Sequence, residues 1–116
     1  MKNAVKEKSF AFAVRIVRLS HFLNEKKHEY VLSNQILKSG TSIANICEAQ
    51  KAQSKADFFA KMQISLKEAA ETKYWLKLLC ASDVLSAKSI RSLYSECSEL
   101  ERLLNSIIIS AKARPD

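Results

Sequence analysis

Apolar residues recur at helical intervals in four separate stretches of this chain. In the last stretch Ile90, Leu93, Cys97, Leu100, Leu104, Ile107 and Ala111 follow one another at spacings of 3, 4, 3, 4, 3 and 4. That rhythm puts all seven on one side of a helix over about 86–113, with Lys88, Arg91, Ser95, Glu99 and Arg102 opposite. A second stretch, over about 30–50, gathers Leu32, Ile36, Ser39, Ile43, Ile46 and Cys47 on a single face. Gly40 sits inside it at a cost of about 1 kcal/mol relative to Ala. Close approach of a neighbouring helix is the expected compensation, and a break in the helix is the alternative.

The other two stretches are two-faced. Over about 9–24, Phe12, Ile16, Leu19 and Leu23 make one stripe, and Phe10, Val14, Val17 and His21 make another nearly opposite. Over about 54–81, Phe58, Met62, Ser65, Ala69, Thr72, Leu76 and Cys80 share a face. Ile64, Trp75, Leu78 and Leu79 lie on a second face, mixed with Glu68 and Glu71. The run from Ser54 to Asp57 opens this helix with a hydroxyl N-cap and a carboxylate at the positive end of the helix dipole. A lone bundle needs one apolar face per helix. The second faces therefore predict subunits packed side by side, through Phe10, Val14 and Val17 on the first helix and Ile64, Glu68, Glu71, Trp75 and Leu78 on the third. Apolar surface simply left exposed is the plainer alternative.

Composition strengthens the helical reading. The chain has 116 residues but one Gly and one Pro, so it lacks the turn residues that sheets with tight connections require. A single all-α domain over residues 1–116 follows. No apolar run approaches the roughly 18 residues of a membrane span, and the opening MKNAVKEKSF has no apolar signal core. Three widely spaced cysteines, Cys47, Cys80 and Cys97, form no CxxC pair and predict free thiols in a reducing cytoplasm.

Net charge is +7 and unevenly distributed. Residues 1–29 hold seven basic against three acidic groups, whereas residues 82–116 hold five of each. The excess belongs to the first two-thirds of the chain, which suits a polyanionic partner. A merely soluble surface would carry the same net charge. The candidate phosphate contacts are Lys6, Lys8, Arg15 and Arg18, with Lys2, near the start. Lys38, Lys55 and Lys61 follow in the middle, then Lys67, Lys73 and Lys77 on the third helix. Tyr74 and Trp75 stand beside Lys73 and Lys77, where an aromatic ring can stack on a base; Trp75 lies on an apolar stripe and is expected at an interface instead.

The stretches QILKSGTSIANICEA over 35–49, SKADF over 54–58, Lys61, and LKEAAETKYWL over 66–76 carry a family resemblance. They resemble the bacterial four-helix bundle proteins encoded within intervening sequences of 23S ribosomal RNA genes, a family that includes accessory proteins of diversity-generating retroelements. The resemblance runs from Phe10 to Ala111. It implies an antiparallel up-down four-helix bundle that assembles into a ring, typically a homopentamer. It further implies, for the basic retroelement members, binding to RNA or DNA and to a reverse transcriptase.

Catalytic chemistry has little support in the residues. Glu48, Glu68 and Glu71 match the family signature and fall where the second and third helices meet. Di-iron bundles need Glu-x-x-His motifs, but Glu68 is followed three residues on by Glu71, and His21 and His28 are outside such spacing. Glu68-x-x-Glu71 and Glu96-x-x-Glu99 resemble a Mg²⁺-dependent pyrophosphohydrolase only faintly, so pairing of these glutamates with Lys or Arg is the favoured role. No Gly-rich phosphate loop occurs, and the cysteines fall on inward faces. The expectation is a non-catalytic protein without a cofactor. Its leading role is a nucleic-acid-binding or ribonucleoprotein scaffold. A protein-interaction ring stands second and a metal-dependent hydrolase a distant third.

Overall fold

A computed structural model describes the backbone of residues 2–48 and 53–114, and the side chains of residues 4–45 and 53–114. The expectations placed on Lys2, Ile46, Cys47 and Glu48 concern side chains outside this set, as does the last predicted turn of the second helix. Every regular element among the described residues is an α-helix: α1 (Lys2–Lys26), α2 (Tyr30–Glu48), α3 (Lys55–Ala81) and α4 (Ala87–Lys112). α1 packs on α2, α2 on α3, α3 on α4, and α4 returns to α1.

Local chemistry fixes most of the helix ends. Ser54 and Ser86 have extended backbones, and their hydroxyls accept the N–H groups of Asp57 and Ser89 at 3.0 and 3.1 Å. Asp57 reaches back to the Gln53 N–H at 3.2 Å. Glu29 caps α2 by accepting the Leu32 N–H at 3.2 Å. α3 ends in a Schellman motif: the N–H of Asp83 meets the Cys80 carbonyl at 3.1 Å and the N–H of Val84 meets the Leu79 carbonyl at 3.0 Å. Glycine usually fills the left-handed position of such a stop, but Asp83 takes it with φ 63°. His28 takes the corresponding position between α1 and α2 with φ 52°.

One boundary differs from expectation. α1 begins at Lys2 rather than near residue 9. Val5 and Ser9, both 1% exposed, carry the inward stripe of Phe12 and Ile16 two turns upstream. Ala4, Lys6, Glu7 and Lys8 are also strong helix formers, so nothing local stops the helix. A second correction concerns Leu79. It is fully buried in the core rather than on the outer face with Trp75. Cys80, placed inward with the core stripe, is only half-buried.

α2 lies against α1 with almost no intervening side chain. A Cβ added at Gly40 would stand 2.8 Å from both Cγ1 and Cγ2 of Ile16. Close approach, not a break, therefore explains the glycine. Small hydroxyls complete the seam and its neighbour: Ser20 and Ser33 are 2.8 Å apart, Thr72 donates to Ser39 at 2.9 Å, and Ser65 donates to the Ile43 carbonyl at 3.3 Å. All five hydroxyl residues are buried, and their pairing satisfies groups that would otherwise cost about 1–3 kcal/mol each. Gly40→Ala should lower unfolding free energy by about 1–3 kcal/mol despite its better helix propensity, because Ile16 is packed on all sides. Urea denaturation reads the sign directly, and a rise in stability would contradict the close packing.

Candidate interaction faces of the helical core

Four helices packed in this order leave four outer grooves, and each has its own chemistry. Between α4 and α1, carboxylates of α4 take up cations of α1. Lys8 pairs with Glu99, and Arg15 donates to Glu96 at 2.6 Å and to Ser92 at 3.0 Å. The hydrogen bond from Lys8 holds the Glu99 carboxyl below the usual carboxylate range. Two of the basic candidates are thereby neutralised. Both glutamates of Glu96-x-x-Glu99 are engaged in the same way.

The groove between α3 and α4 differs. Lys73 donates to Glu101 at 2.7 Å, and its ammonium stands 4.9 Å from the centre of the Tyr94 ring. The bond to Glu101 raises the Lys73 pKa further. Beyond that pair the groove is lined by Lys77, Ala87, Ile90, Arg91, Tyr94 and Ser95. Lys77 and Arg91 are exposed, and neither has an ion-pair partner among the described residues. Arg102 follows Arg91 on the same stripe of α4, through Ser95 and Ser98 at spacings of 4, 3 and 4. Tyr74, 58% exposed, flanks Lys77 on α3. This is a basic groove with one aromatic ring, Tyr94, set into it.

The remaining basic candidates are dispersed. Lys61 bridges to Asp57 at 3.1 Å, which with the Gln53 N–H keeps the Asp57 carboxyl low. Lys55 donates to the Arg114 carbonyl at 2.6 Å. Lys6 is half-buried on α1, whereas Arg18, Lys38 and Lys67 are exposed on three different helices. Arg91, Arg102 and Tyr94 were not among the predicted contacts. Their signal was the polar face of α4, but recognising it required knowing which α4 carboxylates fold onto Lys8, Arg15 and Lys73.

The outward apolar residues expected on the first and third helices flank α2. Phe10 is 64% exposed and Val17 is exposed on α1, while Val14 is half-buried. On the outer side of α3, Ile64 is 51% exposed, and Trp75, Leu78, Glu68 and Glu71 are half-buried. The Trp75 indole nitrogen is buried without a hydrogen-bond partner among the described residues. Burial lifts the Glu68 carboxyl above the usual range; the Ser42 hydroxyl on α2 opposes that rise, and the neighbouring Glu71 adds to it. Among the described residues no three His, Cys, Asp or Glu side chains converge as a metal set. Glu68 and Glu71 are separated from Glu96 and Glu99, which belong to the α4–α1 groove.

Cys97 is the one strongly perturbed thiol among the described groups. Burial pushes its pKa up to about 12, and its Sγ donates to the Ala69 carbonyl at 3.2 Å. A thiol held protonated in this way is a small core residue rather than a nucleophile. No helix among the described residues is long and apolar enough to cross a membrane.

The raised Glu68 carboxyl gives a pH signature. Because its folded pKa exceeds the unfolded value, folding favours the protonated form, and that stabilisation is lost as pH rises through the folded value. Glu68→Gln should therefore raise the urea midpoint at pH 7, and the gain should vanish near pH 3, about a unit below an ordinary Glu pKa. Equal gains at both pH values would mean that the charge on Glu68 is not what limits stability.

Comparison with known proteins agrees with this architecture. Residues 1–106 match the 23S rRNA-intervening sequence protein family. A crystal structure of a protein with unknown function, from the S23 ribosomal protein family of Bacteroides thetaiotaomicron VPI-5482, is 49% identical and superposes with a TM-score of 0.91. The match covers 93% of this chain and 98% of that one. No functionally curated protein matches the chain. With nearly all of its length accounted for by the family pattern and by a closely superposable relative, the chain belongs to the 23S rRNA-intervening sequence protein family.

Proposed function

We propose that this chain is a non-catalytic, self-associating four-helix bundle that binds nucleic acid through the groove between α3 and α4. The observation that carries the reading is the segregation of charge. Three carboxylates of α4 are spent on Lys8, Arg15 and Lys73, leaving Lys77 and Arg91 facing the groove without an ion-pair partner among the described residues. Phosphates are the natural complement of such a groove, and contacts of this kind are largely independent of sequence.

The bundle in this proposal runs up and down. Partners support it: Ile16 meets Gly40 while Ser20 meets Ser33, and Ser39 meets Thr72 while Ser65 meets Ile43, so numbering rises on one helix as it falls on the next. Copies would join side by side into a ring, the homopentamer that the resemblance implies, with the apolar faces flanking α2 as the contact. A ring would repeat the basic groove around its surface. The reducing cytoplasm is its setting, in keeping with the free thiols Cys80 and Cys97.

A second reading has its own support. Phe10 and Ile64 are exposed in the manner of protein-contact residues, which favours a ring that holds a protein partner such as a reverse transcriptase and uses its charge for solubility. Pull-down after nuclease digestion separates the two, since a partner retained without nucleic acid supports this reading.

Two outcomes follow from the leading reading. Binding to structured RNA should weaken steeply with salt, and the Lys77→Glu/Arg91→Glu variant should lose at least about tenfold in affinity, with a salt slope smaller by about two. Lys38→Glu, on the other side of the molecule, should stay close to the parent. Undetectable binding at about 50 mM salt would end the proposal. Light scattering should give a mass several times the 13.1 kDa of one chain, and Ile64→Asp should reduce it toward that value.

A further inference from the structure

Two tyrosines stand at the α3–α4 groove and they are not equivalent: Tyr94 lines it, whereas Tyr74 is exposed on α3 outside that lining, three residues before Lys77. The face of Tyr94 is already occupied by the Lys73 ammonium at 4.9 Å, which Glu101 holds in place at 2.7 Å. Tyr74 has no cation over its ring among the described residues. Its one ring contact is with Trp75, at 5.1 Å between centroids and 72° between planes, an edge contact that leaves a ring face open. Trp75 is itself packed against the core, so it braces the tyrosine from one side. Along α3 the outer stripe reads Lys67, Ala70, Tyr74, Lys77 and Ala81, all exposed, with small alanines where larger side chains would cover the ring. The arrangement is an exposed, braced aromatic ring with a lysine on either side along α3, the nearer of them, Lys77, sharing the groove lining with Arg91.

A double helix keeps its base faces stacked inside, so a side chain on a helix surface meets only its backbone and base edges. An unpaired strand offers open base faces and flanking phosphates together. Resting on the nucleic-acid reading above, we infer that Tyr74 is a stacking platform for an unpaired base, with Lys67, Lys77 and Arg91 on the neighbouring phosphates. The groove then takes single-stranded nucleic acid in preference to duplex. Trp75, the chain's single tryptophan, lies against the platform and reports its occupancy by fluorescence.

The test uses the full chain and a labelled mixed-sequence oligonucleotide, as a single strand and annealed to its complement, at about 50 mM salt. The parent protein should bind the single strand more tightly and show quenched Trp75 fluorescence with it. Tyr74→Ala should weaken single-strand binding by about 5- to 150-fold, the equivalent of one base–aromatic stack, and leave duplex affinity and the salt slope unchanged. Tyr74→Phe should restore the affinity. Equal losses on both substrates, no loss on either, or failure of the Phe variant to rescue would overturn the stacking role. If Lys77→Glu/Arg91→Glu abolishes binding while Tyr74→Ala has no effect, the groove remains a polyanion site and only the stacking falls. If the parent binds neither form, both readings fall together.

Discussion

The near-contact of the α1 and α2 backbones constrains everything around it. With no Cβ at Gly40, the helix meets Ile16 directly, and interhelical distance is set by the smallest side chains at a contact. Ser20 and Ser33 then fall within hydrogen-bond reach, which fixes rotation as well as separation. Turning α1 to bring Phe10 or Val17 inward would drag Ile16 off Gly40 and strip Ser33 of its partner. The exposed stripe on α1 is thus a consequence of the buried one. On α3, Thr72 and Ser65 tie to α2 in the same manner and leave Ile64 facing away from the core.

Charge is organised by α4. Along the chain the basic excess ends at about residue 81, and residues 82–116 are neutral in aggregate because their acids and bases are interleaved. Folding separates them. Glu96 and Glu99 turn to α1, Glu101 turns to α3, and Arg91 and Arg102 remain on the outer side of the α3–α4 groove. Net charge by segment therefore says little about surface potential, because the neutralising partners come from other helices, two of them from the opposite end of the chain.

What could be read from the sequence was whatever depends on neighbours in the chain. The cap at Ser54 is a four-residue affair, and the inward stripe of α4 is a matter of spacing alone. Gly40 was legible because a glycine inside a periodic helix needs a packing reason. The start of α1 was hidden because Val5 and Ser9 are single inward residues within a charged run, and charge there resembles a tail. Leu79 sits at the edge of the inward sector, where ideal periodicity divides faces poorly. The α3–α4 groove was the least visible, since it is defined by cations that remain after ion pairing across 28, 81 and 91 residues.

The α4–α1 seam has a further consequence for how the molecule forms. The other three seams join helices adjacent in the chain, which can meet as soon as a short connection bends. This one links residues 77 to 91 positions apart, so its contacts repay the largest loss of chain freedom. It is also the sparsest of the four in backbone approach, and its cross-links are solvent-exposed ion pairs that water and salt screen. Closure of the bundle is therefore expected late in folding and its reversal early in unfolding, like a book opening along this line with the first and last helices as its two covers.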